Sequence, residues 1–375
     1  MRNVRATAMG LAVAGLLLLA GCKGFFVPVS TTGGGGTTVS GDYVYVANST
    51  TDTVTGYSIA SSSGALTAVT NSPYALSLPP LSLAITPNNK FLYVGGTGFL
   101  NVYVINSDGS LTLGNGGQVV ASTLTESMDV SPDGQWLFVL NNDAQTLSQF
   151  QINATNGSLT AATGATFSVG GTSSAVKVAP TGNYVFVALG TGGDLVFPFN
   201  TTTGVLGTTA QQLRPPVNTS DNALAVDATT SYLYIARSGA VGSGLAVYTV
   251  ANGGVLSSVT GSPYATGVGP HSVTLDGTGT YAYVGNRTDG TIGGYSIAAG
   301  GTLTALASAP YPTGTLPVAI GRDNTGKYLA VASNGGSPDL QIFGFDGATP
   351  GKLISVAKTA TGTDPTNPVA IALTH

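Results

Sequence analysis

The sequence offers few side chains that could exchange a proton with a bound molecule. Glu126 is its only glutamate, and its two histidines are His271 and the C-terminal His375. Imidazole and carboxyl groups are the usual general acids and bases of enzymes. Glu126 and His271 are therefore the first candidates for catalysis or binding, provided that the fold brings them together.

Internal repeats in the sequence predict where these side chains lie. A β-type run that starts with an aromatic residue recurs seven times, and each run is followed by a Gly-x-Leu turn in the same phase. Periods of this length are typical of propellers and solenoids. The aromatic residues are Tyr43, Phe91, Trp136, Tyr184, Tyr232, Tyr281 and Tyr328, and the turn glycines are Gly64, Gly109, Gly157, Gly204, Gly254, Gly301 and Gly351.

Each repeat predicts four strands, here named A to D, separated by Gly, Asp, Asn and Pro turns. Strand B is almost entirely apolar, which indicates a strand buried on both faces. The sequence therefore predicts an all-β protein, a seven-bladed β-propeller with four-stranded antiparallel blades. The first repeat begins at strand B and the C-terminal Val369–Leu373 resembles a strand A, so we expect the C-terminal strand to complete the N-terminal blade.

The repeat register places Glu126 and His271 in equivalent positions. Both lie ten residues before an aromatic leader, in blades 3 and 6, which lie almost opposite each other in a seven-membered ring. We therefore expect both side chains on one rim of the central pore. Neighbouring loops add further ligand-binding candidates to that rim: Asp221, Asn222, Arg237, Tyr264 and Tyr311.

Composition excludes several classes of protein. Charged residues make up 7% of the chain, against roughly 25% in an average domain, and the net charge is −4. No basic patch suggests a nucleic-acid partner, and 54 glycines argue against a helical bundle. No zinc, phosphate-loop or Ser-His-Asp pattern occurs, so neither a metal nor a cofactor is expected.

The N-terminus has the pattern of an export signal. Arg2 and Arg5 precede an apolar run, Ala6–Ala20, that is too short to span a membrane. The segment Leu19–Cys22 resembles the lipobox of bacterial lipoproteins, in which the cysteine is lipidated; the alternative is a secreted protein in which Cys22 is incidental. The expected organisation is a signal peptide at 1–22, a Gly/Thr-rich tether at 23–40 and the propeller at 41–375.

Two sets of motifs carry a family resemblance, which extends from Gly41 to His375. Tyr45–Asn48 and Tyr283–Asn286 resemble the YVTN repeat, which also builds noncatalytic surface proteins. Gly269–Ser272, a following β run and Asn286-Arg287 are similar to lactonase-type propellers, a group that includes 6-phosphogluconolactonase-like enzymes. This resemblance implies a rim at which His271, Glu126 and Arg287 act on a lactone, with arginine holding a carboxylate or oxyanion. The family's Asn-Glu-Leu motif is absent, so Glu126 would have to supply the carboxylate from another position.

Three functions remain open at the level of sequence. The first is a lipid-anchored propeller of the bacterial cell envelope, facing the periplasm or exterior, that binds a small ligand or a protein at the central rim. The second is a lactone hydrolase that uses the same rim, and the third is a cell-surface adhesion protein. We expect a monomer whose only membrane contact is the lipid on Cys22.

Overall fold

The computed structural model describes residues 41–117, 119, 121, 124–170, 174–359 and 365–375. Within this part of the chain, seven antiparallel sheets form the blades of a propeller, and the chain belongs to the seven-bladed class that its repeats predict. The predicted signal peptide, Cys22 and the tether at 23–40 lie outside the described residues. Among the described residues, no helix is long and apolar enough to cross a membrane.

The blades follow one another along the chain, and their strands appear in the order A, B, C, D from the second blade onward. Three short strands, β4, β17 and β26, pair with strand C of their own blades, and one 3₁₀ turn spans Asn115–Gly117. The strands are β1 (Tyr43–Asn48), β2 (Thr53–Ile59), β3 (Leu66–Ala68) and β4 (Tyr74–Ala75) in the first blade; β5 (Pro80–Ile85), β6 (Phe91–Gly96), β7 (Phe99–Ile105) and β8 (Leu111–Leu113) in the second; β9 (Ser127–Val130), β10 (Trp136–Asn141), β11 (Thr146–Ile152) and β12 (Leu159–Ser168) in the third; β13 (Ala175–Val178), β14 (Tyr184–Ala188), β15 (Asp194–Asn200), β16 (Val205–Leu206) and β17 (Gln211–Leu213) in the fourth; β18 (Thr219–Val226), β19 (Tyr232–Gly239), β20 (Gly244–Val250) and β21 (Leu256–Ser258) in the fifth; β22 (Pro270–Leu275), β23 (Tyr281–Asn286), β24 (Thr291–Ile297), β25 (Leu303–Ala305) and β26 (Tyr311–Pro312) in the sixth; β27 (Pro317–Arg322), β28 (Tyr328–Ser333), β29 (Leu340–Phe345) and β30 (Leu353–Lys358) in the seventh; and β31 (Pro368–Leu373).

The apolar B strands form the core between the blades. Every residue of β1, β6 and β28 is buried, as the run of apolar residues predicts for a strand covered on both faces. Tyrosines inside these strands still need a partner for their hydroxyls. Tyr45 donates to the carbonyl of Gly109, and Tyr283 to that of Gly351, each at 2.7 Å and each in the following blade.

The ring is closed by the C-terminal strand, as predicted. Strand β31 pairs antiparallel with β1 and serves as strand A of the first blade. Thr374 fixes the junction, because its backbone N–H donates to the carbonyl of Tyr43 and its hydroxyl accepts from the Tyr43 N–H. His375 then exchanges two hydrogen bonds with the side chain of Asn89 in the second blade. The first and last segments of the described chain therefore hold each other in place.

Candidate functional site

A central cavity of about 630 Å³ lies where the seven A strands begin. Each blade contributes to its wall the residue that lies ten positions before the aromatic leader, or the equivalent residue of β31. The structure therefore brings Glu126 and His271 to one cavity. The seven equivalent residues are Leu81, Glu126, Ser174, Asn222, His271, Val318 and Val369.

In five of the seven blades, though not at Glu126 or Ser174, irregular pairing between strands A and B places this position in a bulge. His271 is the extra residue of a bulge between Pro270 and Ser272, and Asn222 is the extra residue between Asp221 and Ala223. Leu81 and Val318 occupy the same kind of bulge in their blades. A bulge re-aims a side chain that regular pairing would direct elsewhere, and bulges are common beside active sites.

His271 and Arg287 come from neighbouring strands of the sixth blade. Arg287 directly follows β23, and its backbone N–H donates to the carbonyl of Gly269 at 2.7 Å. Burial lowers the pKa of His271, and the nearby charge of Arg287 lowers it further. The imidazole is therefore neutral at pH 7, and its free nitrogen can accept a proton.

The guanidinium of Arg287 has unused hydrogen-bonding capacity. Its Nε atom is buried and has no hydrogen-bond partner among the described residues. A buried donor without a partner costs free energy. Because Arg287 lines the cavity, its guanidinium is placed to bind an oxyanion or carboxylate there.

Glu126 supplies a carboxyl group from the third blade. Its backbone N–H donates to the carbonyl of Leu140 at 3.0 Å, which fixes the start of strand A there. Burial raises the pKa of the carboxyl. The cavity thus combines one imidazole, one carboxyl group and one guanidinium, and each of the three is at least partly buried.

Two asparagines add polar groups to the wall. The amide nitrogen of Asn222 donates to Ser238 Oγ and to the carbonyl of Pro270, both at 2.8 Å. Asn334 also lines the cavity, although it was not among the residues expected there. The repeat register could have identified Asn334. It lies six residues after its aromatic leader Tyr328, and Arg287 likewise lies six residues after Tyr281.

Asp221 and Arg237, expected on the rim, are not part of the cavity wall. The guanidinium of Arg237 binds the carboxylate of Asp221 through two contacts, Nε–Oδ1 at 2.5 Å and Nη2–Oδ2 at 3.0 Å. Both side chains are almost fully buried. Asp221 lies one residue before Asn222, which lines the cavity, and Arg237 lies one residue before Ser238, the counterpart of Arg287. Because side chains alternate along a strand, that difference of one residue directs them into the blade.

Asp194 of the fourth blade completes a buried cluster with this ion pair. Burial raises the pKa of Asp194 well above its usual value, and the carboxylate of Asp221 raises it further. Two carboxyl groups beside one guanidinium cannot both ionise cheaply, which favours the neutral form of Asp194. This cluster is a structural element of the junction between blades 4 and 5.

Tyr264 and Tyr311, also expected at the rim, lie on the outer side of their blades. Tyr264 exchanges two backbone hydrogen bonds with Leu245 of β20, each 2.9 Å long, and Tyr311 pairs with Ile292 of β24. Both partners belong to strand C, and strands A and B separate strand C from the pore. The two tyrosines fix loops to strand C and do not contact the cavity.

The described residues contain no group of three or more His, Cys, Asp or Glu side chains that could hold a metal ion.

The chain matches the family model described as lactonase, 7-bladed beta-propeller, over residues 30–123, 80–177, 101–220 and 178–370. No curated protein matches it.

Among solved structures, the chain is similar to two proteins provisionally named 6-phosphogluconolactonase. The one from Bacteroides uniformis has 17% identity and a TM-score of 0.72 over 89% of this chain and 99% of that one. The one from Bacteroides fragilis has 18% identity and a TM-score of 0.73 over 91% and 100%. The periplasmic gluconolactonase PpgL of Pseudomonas aeruginosa has 19% identity and a TM-score of 0.70 over 90% and 99%. At these identities the likeness shows the fold alone.

Proposed function

The chain belongs to the lactonase family of seven-bladed β-propellers, and we propose that its central cavity binds a lactone and hydrolyses it. One observation carries the proposal: His271, Glu126 and Arg287 line a single cavity of about 630 Å³. That volume lies within the roughly 300–1,000 Å³ of ordinary small-molecule sites.

The reaction assigns a role to each group. Neutral His271 takes a proton from water while the water oxygen attacks the lactone carbonyl carbon, and Arg287 stabilises the oxyanion that forms. The ring C–O bond then breaks, and the ring oxygen receives the proton from His271, which yields a hydroxy acid. Glu126, on the opposite part of the ring, accepts hydrogen bonds from substrate hydroxyls.

The charge of the cavity favours an unphosphorylated lactone. Among the described residues that line it, Arg287 is the only lysine or arginine. One guanidinium cannot neutralise a phosphate group and also stabilise an oxyanion at the carbonyl. We therefore propose a neutral sugar-derived lactone as the substrate.

Binding without turnover is the second candidate. A catalytic histidine is normally oriented by a hydrogen-bonded third group. Among the described residues, the imidazole of His271 has no carboxylate within salt-bridge distance. The same cavity could therefore act as a receptor for a small ligand or for part of a protein partner.

We further propose that the propeller is anchored to the cell envelope through a lipid on Cys22. The support is the sequence Leu19–Cys22 after a short apolar run. The propeller would then face the periplasm or the exterior.

A panel of lactones tests the proposed reaction. Purified full-length protein is assayed with glucono-1,5-lactone and with its 6-phosphate, and the expected result is faster turnover of the unphosphorylated compound. His271→Ala should lower kcat/KM by about 10²–10⁴-fold, the usual scale for an acid–base group.

His375→Ala is the matched control, because this second histidine contacts the carbonyl of Ile85 and does not line the cavity. It should leave kcat/KM unchanged. Saturable binding of a lactone without turnover would replace hydrolysis with the receptor function, and the absence of both would contradict the proposal.

A further inference from the structure

A second cavity, of about 450 Å³, lies on the sixth blade and shares no lining residue with the central one. Strand β24 and Asn286 form its floor, and the loop at Thr266-Gly267 forms one wall. Leu306 and Ala309 of the same blade form the other. We call this cavity the blade-6 groove.

Comparison with the first blade shows why the groove is open. Asn48 occupies the position of Asn286, and its amide is fully engaged there. Its nitrogen donates to the hydroxyls of Thr53 and Thr55, at 3.2 and 3.3 Å, and its oxygen accepts from the N–H of Thr366 at 3.2 Å. The first blade thus fills with its own side chains the space that the sixth blade leaves free.

Asn286 lacks the counterparts of two of the hydrogen-bond partners of Asn48. Gly293 stands where the first blade has Thr55, so one hydroxyl is missing. The N–H of Val268, the counterpart of Thr366, donates instead to Asp289 at 2.7 Å. Asn286 keeps only Thr291, at 3.2 Å, and its Oδ1 is buried without a partner among the described residues. Whichever way the amide is turned, one of its polar atoms has no partner, and Asn286 is among the residues that line the groove.

A second hydroxyl is missing on the other side of β24. In the first and fifth blades, Ser72 and Ser262 accept a hydrogen bond from the backbone N–H of strand C, at 3.0 and 2.8 Å. Ala309 takes this position in the sixth blade and carries no hydroxyl. The N–H of Gly294, the counterpart of Gly56, therefore lacks the acceptor that the other two blades provide. Gly294 and Ala309 both line the groove.

We propose that the blade-6 groove binds a neutral polyhydroxylated small molecule, a sugar or a polyol, whose hydroxyls occupy the places of the missing Thr and Ser hydroxyls. A hydroxyl is both a donor and an acceptor, so one type of group can satisfy the amide of Asn286 and the N–H of Gly294. Because two polar groups around one cavity each lack a hydroxyl partner, we expect a ligand that carries several hydroxyls.

The charge and shape of the groove agree with this choice. Its lining contains no lysine, arginine or histidine and has one carboxylate, that of Asp289, so an anionic ligand is disfavoured. Gly267 packs closely against the polar side of the groove, because a Cβ there would lie 2.6 Å from Asp289 Oδ2 and 2.8 Å from Asn286 Nδ2. The proposal does not depend on the reaction proposed for the central cavity.

The test supplies the two missing hydroxyls with side chains of the protein itself. Gly293→Thr combined with Ala309→Ser gives the sixth blade the side chains of the first. A Cβ at Gly293 would lie 3.3 Å from the Tyr295 hydroxyl, so the tyrosine side chain must move by a few tenths of an ångström to admit it. D-Glucose and myo-inositol are the probes, and their binding to the full chain is followed by saturation-transfer NMR and by titration of the Gly293 and Gly294 amide signals.

The double substitution should weaken binding of the probes about tenfold or more, and it should keep or raise Tm because it satisfies buried polar groups. Ala298→Ser, which adds a hydroxyl at an exposed position of the same blade outside the groove, and His271→Ala should both leave binding intact. Gly293→Thr alone replaces the double variant if the latter fails to fold.

Three results would overturn the proposal: no saturation transfer or shift of the Gly293 and Gly294 signals with either probe, undiminished binding in the double variant, or loss of binding in His271→Ala.

Discussion

The ring of Tyr328 in the last blade lies against Gly64 in the first, where a Cβ atom would be only 2.8 Å from Cε1 of the tyrosine. The same contact joins every blade to the next, because each aromatic leader lies against the turn glycine of the following blade. The pairs are Tyr43–Gly109, Phe91–Gly157, Trp136–Gly204, Tyr184–Gly254, Tyr232–Gly301, Tyr281–Gly351 and Tyr328–Gly64. The aromatic leader and the turn glycine recur in phase in the sequence because these two residues contact each other in the structure.

Adjacent glycines in one turn allow this contact to be measured. Gly300 and Gly301 both have positive φ, 87° and 77°, but only a Cβ at Gly301 would meet a ring, with Tyr232 Cε1 at 2.5 Å. We expect Gly301→Ala to lower the free energy of unfolding by about 1–3 kcal/mol more than Gly300→Ala, since overpacking adds to the backbone cost. Urea denaturation of both variants measures the difference. If both substitutions lower the free energy of unfolding equally, the contact between Tyr232 and Gly301 does not stabilise the propeller.

The parts of the structure that repeat were predictable from the sequence. Blade number, strand order and ring closure follow from contacts that recur in every blade and so leave a period. The pore-facing position of Glu126 and His271 was also predictable, because it recurs at a fixed interval before each aromatic leader.

The parts that do not repeat were not predictable. The register could not show that Asp221 and Arg237 bind each other, since a shift of one residue separates them from the pore-facing positions. Tyr264 and Tyr311 were misplaced because a loop sequence does not show which strand it pairs with. The blade-6 groove depends on two small residues, Gly293 and Ala309, that become visible only when the blades are superimposed residue by residue.

Deleting Pro368–His375 should open the ring. Without β31, strand β1 loses its partner at the register Val44–Leu373 through Asn48–Pro368, and an apolar strand edge becomes free to pair with another molecule. We expect aggregation and loss of the cooperative thermal transition, measured by light scattering and calorimetry. Chain ends usually tolerate trimming, so a truncated protein with unchanged solubility and Tm would contradict the role assigned to β31.

Asp42 should make the protein less stable as the pH rises toward neutrality. Burial, and after it the charge of Asp323, raises the pKa of Asp42 from 3.8 to about 7. Between these two values the folded chain binds a proton that the unfolded chain has released, so the free energy of unfolding falls as the pH increases.

Asp42→Asn keeps a neutral side chain in place and should remove this loss. Its Tm should exceed that of the wild type at pH 8, and the advantage should shrink toward pH 4. The exposed Asp143, changed to Asn, serves as the control. A Tm difference between Asp42→Asn and wild type that does not vary with pH would show that Asp42 is ionised in the folded protein.

Cys22→Ser tests the lipid anchor. If acyl chains on this cysteine hold the protein in the membrane, their loss removes about 0.8 kcal/mol of membrane affinity for each buried CH₂ group. We expect the variant to move to the soluble periplasmic or culture fraction, while Ser30→Ala in the predicted tether stays with the membranes. Retention of Cys22→Ser in membranes after a high-salt wash would contradict lipid anchoring.

The pH profile of lactone hydrolysis should identify His271 as the base. Burial lowers the pKa of this imidazole below 6.5, and the charge of Arg287 lowers it further. Only the neutral imidazole can take a proton from water, so kcat/KM should stay level from pH 8 down to 6.5 and fall at lower pH. Replacing Arg287 with Met removes the charge, so the acidic limb of the profile should move toward higher pH. The same substitution should lower kcat/KM at its plateau, because the oxyanion loses its donor. If the plateau falls but the acidic limb keeps its midpoint pH, a group other than His271 titrates in that profile.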